Sequence, residues 1–236
     1  MKLKGATVLV TGGSDGLGFS LSKALVAKGA NVHIFSRSQA NLDKAAKALP
    51  LAHIYQGDVS DPQSIEAVVK KIGQIDILIN NAGVWLEGPL QNYSIEEIDK
   101  TIGVNLNGVI YATRAVLPSM LQRDDGFILN VSSTSGLVGR NDQSVYAATK
   151  FGVTGFTKSI QDDLMKTNIK VAGFYPGGMA TKLFAKAGNL KDNTDWMNTD
   201  EVAEVMVFML EHDETLLMNQ VVLNKRQVKM SQVTGK

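Results

Sequence analysis

The stretch from Asn130 to Lys150 carries the residues best suited to proton chemistry. If the segment from Ser144 onward is helical, Tyr146 and Lys150 share one helix face, which places a phenol beside an ammonium group. A tyrosine titrates near pH ~10, but a nearby cation favours the phenolate and lowers the pKa. Lowering it by about three units takes roughly 4 kcal/mol, which a lysine and a second cation could supply together. Tyr146 is therefore a candidate acid and base that needs a second positive charge.

A glycine-rich turn precedes the first predicted helix. In the run 11–18, Gly12, Gly16 and Gly18 have the spacing G-x-x-x-G-x-G, with a β-branched strand before them and a helix after them. Such a turn brings backbone N–H groups and the positive end of a helix close to a pyrophosphate. The pattern predicts a dinucleotide site, to which Ser14 and Leu17 belong by position.

The position that reads the adenosine ribose follows the second strand as Ser36-Arg37-Ser38. An acidic residue there would bind the ribose hydroxyls of NAD, whereas a small hydroxyl residue followed by arginine suits a 2′-phosphate. We therefore expect NADP(H) as the preferred cofactor. Asp15 adds a negative charge in the glycine turn, where a basic residue would have favoured a 2′-phosphate. This charge favours NAD(H), which therefore stays possible.

Asp58 and Val59 follow the third strand and have two interpretations. The Asp58 carboxylate could accept a hydrogen bond from the adenine amino group, or it could cap the helix that begins near Pro62. Spacing alone does not decide between them, although Asp61 is the better placed cap.

The glycine turn also matches a hydrolase nucleophile elbow, with Ser14 as the nucleophile. An elbow serine needs an oxyanion-hole loop from an earlier strand connection, and an acid and a histidine later in the chain. Only one strand precedes Ser14, and the sole late histidine, His212, lies among acidic residues at a predicted helix end. His212 is better interpreted as a solvated C-terminal cap.

The composition favours a small-molecule partner. The chain has 236 residues, a net charge of +1 and no cysteine, and its three histidines are scattered. Mixed charges give no basic patch for nucleic acid or anionic lipid, and a thiolate metal site is not available. We expect no bound metal, so redox chemistry must come from an organic cofactor. No stretch approaches the ~20 apolar residues of a membrane span, so we expect a cytoplasmic protein.

Short β-branched runs alternate with helix-length amphipathic segments, which predicts an α/β fold. The strands are apolar without alternation, as in a doubly wound parallel sheet with helices on both faces. The predicted strands are 6–11, 31–35, 52–56, 76–79, 126–131, 169–174 and 220–223. The predicted helices are 17–28, 39–48, 62–72, 94–121 with candidate breaks at its glycines, 145–166 and 199–210. We expect one Rossmann domain over 1–236, with a substrate lid at 182–198.

Together these residues resemble the short-chain dehydrogenase/reductase family, over nearly the whole chain. The resemblance rests on motifs in the family's order. They are the glycine turn, Asn80-Asn81-Ala82-Gly83 after the fourth strand, Asn105, Ser133 thirteen residues before the tyrosine, Tyr146-x-x-x-Lys150, and Pro176-Gly177 followed by Thr181. A tyrosine and lysine pair alone would carry little weight.

The resemblance implies an oxidoreductase that transfers a hydride between NADP(H) and a carbonyl or alcohol. Tyr146 would be the general acid and base, Lys150 would bind the nicotinamide ribose, Ser133 would position the carbonyl, and Asn105 would hold a relay water. The oxidised nicotinamide would be the second cation. The implied cofactor contacts are Gly12, Ser14, Gly16, Leu17, Gly18, Arg37, Asp58, Val59, Asn81, Gly83, Tyr146, Lys150, Pro176, Gly177 and Thr181. Family members form dimers and tetramers through two long helices, so a homodimer or homotetramer is expected.

The substrate is the least determined feature. The predicted last strand lacks the Asp-Gly-Gly ending common in the family, and the predicted lid is short. The absence of an arginine pair weakly favours a modest apolar carbonyl compound. Candidate pocket residues are Trp85, Leu86, Leu137, Val138, Met179, Leu183, Phe184 and Trp196. A non-catalytic NADP(H)-binding protein of the same fold is the alternative.

Overall fold

Strands and helices alternate along the chain in the computed structural model, which describes residues 2–181, 183, 196–213 and 216–225. The strands are β1 Thr7–Thr11, β2 Asn31–Ser36, β3 His53–Gln56, β4 Ile77–Asn80, β5 Gly126–Val131, β6 Ile169–Pro176 and β7 Gln220–Leu223. The helices are α1 Gly16–Ala27, α2 Gln39–Ala48, α3 Pro62–Ile72, α4 Ile95–Ile102, α5 Gly108–Arg123, α6 Ser144–Asp163 and α7 Thr199–Glu211. Most of the predicted lid, 184–195, lies outside the described residues.

The seven strands form one parallel sheet in the order β3-β2-β1-β4-β5-β6-β7. The chain runs outward from β1 to β3, returns beside β1 at β4, and then runs outward on the other side. This reversal makes the edge between β1 and β4 a switch point, where the loops that follow the strands diverge and leave a crevice. The predicted doubly wound parallel sheet is confirmed.

Apolar layers cover both faces of the sheet. Val8 and Val10 pack toward the layer that contains α1 and α7, whereas Leu9 packs toward the layer that contains α3 and α5. All three side chains are fully buried. Because both faces exclude water, alternate positions of a central strand are equally apolar, which accounts for the continuous hydrophobic runs.

A single turn of π-helix, Gly103–Asn107, interrupts the predicted helix 94–121 between α4 and α5. The chain passes very close to the loop after β3 at the end of this turn. A Cβ atom on Gly108 would lie 2.8 Å from Cγ2 of Val59, so only glycine fits there without a shift. The glycines therefore mark the break, as expected, although the sequence did not indicate a π turn.

A chain of buried polar side chains fixes α6 on the sheet. Asn80 donates from Nδ2 to Oδ1 of Asn130 over 2.8 Å, and Asn130 donates from Nδ2 to Oγ1 of Thr157 over 3.0 Å. Asn80 also donates to Thr113 of α5. Buried hydrogen bonds of this kind are costly to break because a lost partner leaves a desolvated polar group. The network sets the position of the helix that carries Tyr146.

Candidate active site

A cavity of about 880 Å³ opens at the carboxyl edge of the sheet, across the switch point. Every residue predicted to contact the cofactor lines it, as does Ser133. These residues come from the loops after β1 to β5, from the end of β6 and the loop that follows it, and from α1 and α6. A pocket at the carboxyl ends of parallel strands is the usual ligand site of such folds.

The glycine turn approaches the loop after β4 closely. Gly12 has a φ of +67°, and a Cβ on it would lie 2.8 Å from the Cα of Ala82. Asn81 donates from Nδ2 to the backbone oxygens of Thr11 and Gly12, at 3.0 and 3.3 Å. Asn81 therefore holds the turn in place, and any side chain on Gly12 would push the two loops apart.

The two residues of the hydrolase alternative, Ser14 and His212, have other partners. Ser14 donates a 2.7 Å hydrogen bond to Oγ of Ser36, which joins the loops after β1 and β2. His212 lies at the C-cap of α7, where its Nδ1 is 2.9 Å from the carbonyl oxygen of Phe208. The cap interpretation of His212 is confirmed. Because Ser14 hydrogen-bonds another serine instead of a histidine, it has no adjacent base to activate it as a hydrolase nucleophile.

Arg37 and Asp58 stand together at the adenosine end of the cavity, with Nη1 and Oδ2 3.6 Å apart. Burial opposes ionisation of Asp58, but hydrogen bonds from Ser60 and the charge of Arg37 outweigh it and lower the pKa of the carboxyl. Asp61 caps α3 by accepting the N–H of Gln63. Asp58 is thus not the cap of α3, and it orients Arg37.

Ser133, Tyr146 and Lys150 meet at the floor of the cavity, and all three are buried. Ser133 hydrogen-bonds the Tyr146 hydroxyl and accepts the N–H of Ser135 at 3.1 Å. Lys150 donates from Nζ to the carbonyl oxygen of Val131 at 3.0 Å. Its Nζ lies 5.8 Å from the centre of the Tyr146 ring. The tyrosine and lysine share one face of α6, as predicted.

Burial dominates the proton affinities of this pair. It raises the pKa of Tyr146 to about 12, against a smaller lowering by the hydrogen bond with Ser133. It also lowers the pKa of Lys150 to about 8. In both cases the low-dielectric surroundings disfavour the charged form. Without a cofactor, burial therefore outweighs any lowering of the Tyr146 pKa, and the lowering expected from Lys150 together with the oxidised nicotinamide stays a prediction.

Asn105 lies on the π turn and is fully buried. Its Oδ1 accepts the N–H of Val84 at 2.7 Å, and its Nδ2 donates to the carbonyl oxygen of Val84 at 2.9 Å. A Cβ on Gly83 would lie 3.4 Å from this Oδ1 and 3.9 Å from Nζ of Lys150. Asn105 thus anchors the Gly83 loop beside the lysine without lining the cavity itself. The relay water stays a prediction.

The wall beside Tyr146 is aromatic. The Trp85 ring packs on the Tyr146 ring, with centroids 4.4 Å apart. Of the predicted pocket residues, Trp85, Met179, Leu183 and Trp196 line the cavity, whereas Leu86, Leu137 and Val138 are not part of its lining. Phe184 lies outside the described residues.

Three polar side chains of this wall were not among the predicted site residues: Glu87, Arg140 and Gln143. Gln143 precedes Tyr146 by three residues, so helical spacing could have placed it on the tyrosine's face. Arg140 lies in an irregular loop, where no periodicity indicates a direction.

A family model for short-chain dehydrogenases matches residues 6–192, which is most of the chain. The chain belongs to the short-chain dehydrogenase family. It is an oxidoreductase of that family, dependent on a nicotinamide cofactor. A 3-oxoacyl-[acyl-carrier-protein] reductase of Thermotoga maritima is 34% identical over 238 residues, covering 94% of this chain and 97% of the relative.

Solved structures of the family agree with this fold. A serine dehydrogenase in complex with NADP+ has a TM-score of 0.86 and 30% identity, covering 92% of this chain and 94% of the other. A 3-ketoacyl-(acyl-carrier-protein) reductase of Brucella melitensis in complex with NADH has a TM-score of 0.85 and 27% identity, covering 94% and 97%. These two relatives were solved with different nicotinamide cofactors.

Two kinds of feature are absent from the described residues. No helix there is long and apolar enough to cross a membrane. In the same residues, no three acidic, histidine or cysteine side chains are grouped as metal ligands would be.

The burial of Tyr146 predicts that its phenol stays protonated through pH ~10 in the ligand-free protein. Tyrosinate absorbance should be titrated in parallel for the wild type and Tyr146→Phe. The difference between the two curves reports Tyr146 alone, and it should begin to rise only above pH ~10 because desolvation opposes ionisation. A difference curve that rises near or below the ordinary tyrosine pKa would contradict the assignment.

Proposed function

We propose that this short-chain dehydrogenase reduces a ketone or aldehyde with NADPH, or oxidises the corresponding alcohol with NADP+. The observation that supports this most strongly is the buried grouping of Ser133, Tyr146 and Lys150 in the cavity that also contains the glycine turn. A non-catalytic cofactor-binding protein would not need to keep all three groups together. That alternative is therefore the weaker one.

The residues around the cavity fit a dinucleotide. Gly12 and Gly16 have positive φ angles and present bare backbone at the start of α1, where a pyrophosphate is favoured. Arg37 is 59% exposed at the adenosine end and offers a guanidinium to a 2′-phosphate. This supports NADP(H), although Asp58 partly neutralises Arg37, so NAD(H) stays the second choice. When bound, the nicotinamide supplies or accepts the hydride.

Each of the buried side chains has a proposed role in proton transfer. Tyr146 donates its proton to the carbonyl oxygen, and its protonated state at neutral pH suits the reductive direction. Ser133 hydrogen-bonds the same oxygen and stabilises the charge that develops there. Lys150 contacts the nicotinamide ribose, and Asn105 holds the Gly83 loop that forms the adjacent wall.

We propose that the protein assembles as a homodimer or homotetramer. Exposed apolar side chains on α4 and α6 support this, since Ile95, Ile102 and Phe151 are 68%, 37% and 45% exposed. An apolar patch shared by these two helices would be consistent with a subunit interface.

Replacement of Tyr146 by phenylalanine should remove turnover, because the variant keeps the ring but loses the proton donor. Loss of NADPH absorbance should be followed with a panel of aldehydes, ketones and diketones. The dissociation constant for NADPH should change little, since the hydroxyl is not needed for most cofactor contacts. Retained turnover would contradict the role of Tyr146.

Replacement of Arg37 by alanine should weaken NADPH binding by roughly tenfold or more and leave NADH binding nearly unchanged, since one charge-assisted contact is lost. Dissociation constants for both cofactors would measure this. Arg114→Ala is the matched control, because Arg114 is exposed and pairs with Glu66 away from the cavity. Equal losses of affinity for NADPH and NADH would show that Arg37 does not bind the 2′-phosphate.

A further inference from the structure

We infer that the cavity contains an anion subsite next to Tyr146, formed by Gln143 and Arg140 beside the start of α6, and that the substrate is an oxo acid with a free carboxylate. This inference rests on the proposed function. It goes beyond it by naming the chemical class of the carbonyl compound.

Gln143 is the first observation. Its side chain lines the cavity although the residue is only 9% exposed. The Oε1 atom accepts a 2.9 Å hydrogen bond from Ser135, which fixes the orientation of the amide. The Nε2 atom donates to no residue that the structure describes. Two N–H donors are therefore held by a buried side chain at the cavity wall with no protein acceptor, which suits a ligand oxygen.

The start of α6 is the second observation. Gln143 occupies the N-cap position, and no side chain there accepts a hydrogen bond from the first turn. The helix is 20 residues long, so its N-terminus carries a substantial positive partial charge. Helix N-termini without a capping oxygen favour an external anion.

Arg140 is the third observation. It is exposed on the cavity wall and forms no ion pair with any described residue. The nearby acidic groups are already engaged: Asp142 accepts from Asn141 at 2.7 Å, and Glu87 has an interaction of its own. The guanidinium is thus available for a carboxylate.

The spacing along α6 limits the size of the substrate. Gln143 precedes Tyr146 by three residues, and both side chains line the same cavity. With the carbonyl oxygen at Tyr146 and Ser133, a carboxylate a few bonds away reaches Gln143. In reduction, the carbonyl carbon would take a hydride from bound NADPH and its oxygen would take the Tyr146 proton, which solvent would then replace. The products are a hydroxy acid and NADP+, and the carboxylate is unchanged.

Matched acids and esters test the subsite. The values of kcat/KM for pyruvate, acetoacetate and levulinate should be compared with those for their methyl esters, which keep the carbonyl and lose the charge. At least one acid should be preferred by about tenfold or more, with the difference mainly in KM, as one charge-assisted contact predicts. Arg140→Met and Gln143→Leu should each remove most of that preference, whereas Arg114→Met should keep it.

The outcomes separate this inference from the proposed function. Reduction of a neutral diketone without any acid preference, or a preference that persists in both variants, would overturn the subsite and leave the reductase activity standing. If no carbonyl is reduced, the proposed function fails. The subsite is then tested by a binding titration of the enzyme with NADP+, in which acetoacetate is added and tryptophan fluorescence is recorded. Trp85 can report binding because its ring packs on Tyr146. Acetoacetate binding that weakens in Arg140→Met and Gln143→Leu supports it, and no binding overturns it.

Discussion

The desolvation of Tyr146 and Lys150 is the constraint on which the rest of the site depends. Burial shifts the proton affinities of both side chains toward their neutral forms, so the tyrosine of the site without ligands keeps its proton at neutral pH. Ser133 and the carbonyl oxygen of Val131 are the polar partners that make this burial tolerable. Alcohol oxidation, which needs the phenolate, would then require a change in the electrostatic surroundings, which the bound oxidised cofactor would provide.

The parallel sheet makes this arrangement possible. Its register aligns Thr11, Asn80 and Asn130 across neighbouring strands, so the loops that follow them meet at one edge. The buried bonds between Asn80, Asn130 and Thr157 then fix α6 against that edge. A displacement of α6 would move the tyrosine relative to the glycine turn, which is more than a hundred residues earlier. The sheet therefore holds the glycine turn and the tyrosine in a fixed relative position.

Much of the fold was predictable because it follows from local patterns. Apolar runs covered on both faces gave seven strands, and helical spacing placed Tyr146 beside Lys150. What the sequence did not indicate depends on tertiary environment. The engagement of Asn105 with Val84 and the direction of the Tyr146 pKa shift require knowledge of burial. Gln143 and Arg140 became visible as a group only once the loop before α6 was placed against the cavity.

The most direct test of the account is the pH dependence of alcohol oxidation with NADP+ in the wild type and in Ser133→Ala. Oxidation requires the phenolate, so the rate should rise with pH through the pKa of Tyr146. Because the hydrogen bond with Ser133 lowers that pKa, its removal should shift the rising limb to higher pH. A limb that stays in place while the rate falls would show that Ser133 only positions the substrate, and would contradict the view that its hydrogen bond lowers the pKa of Tyr146.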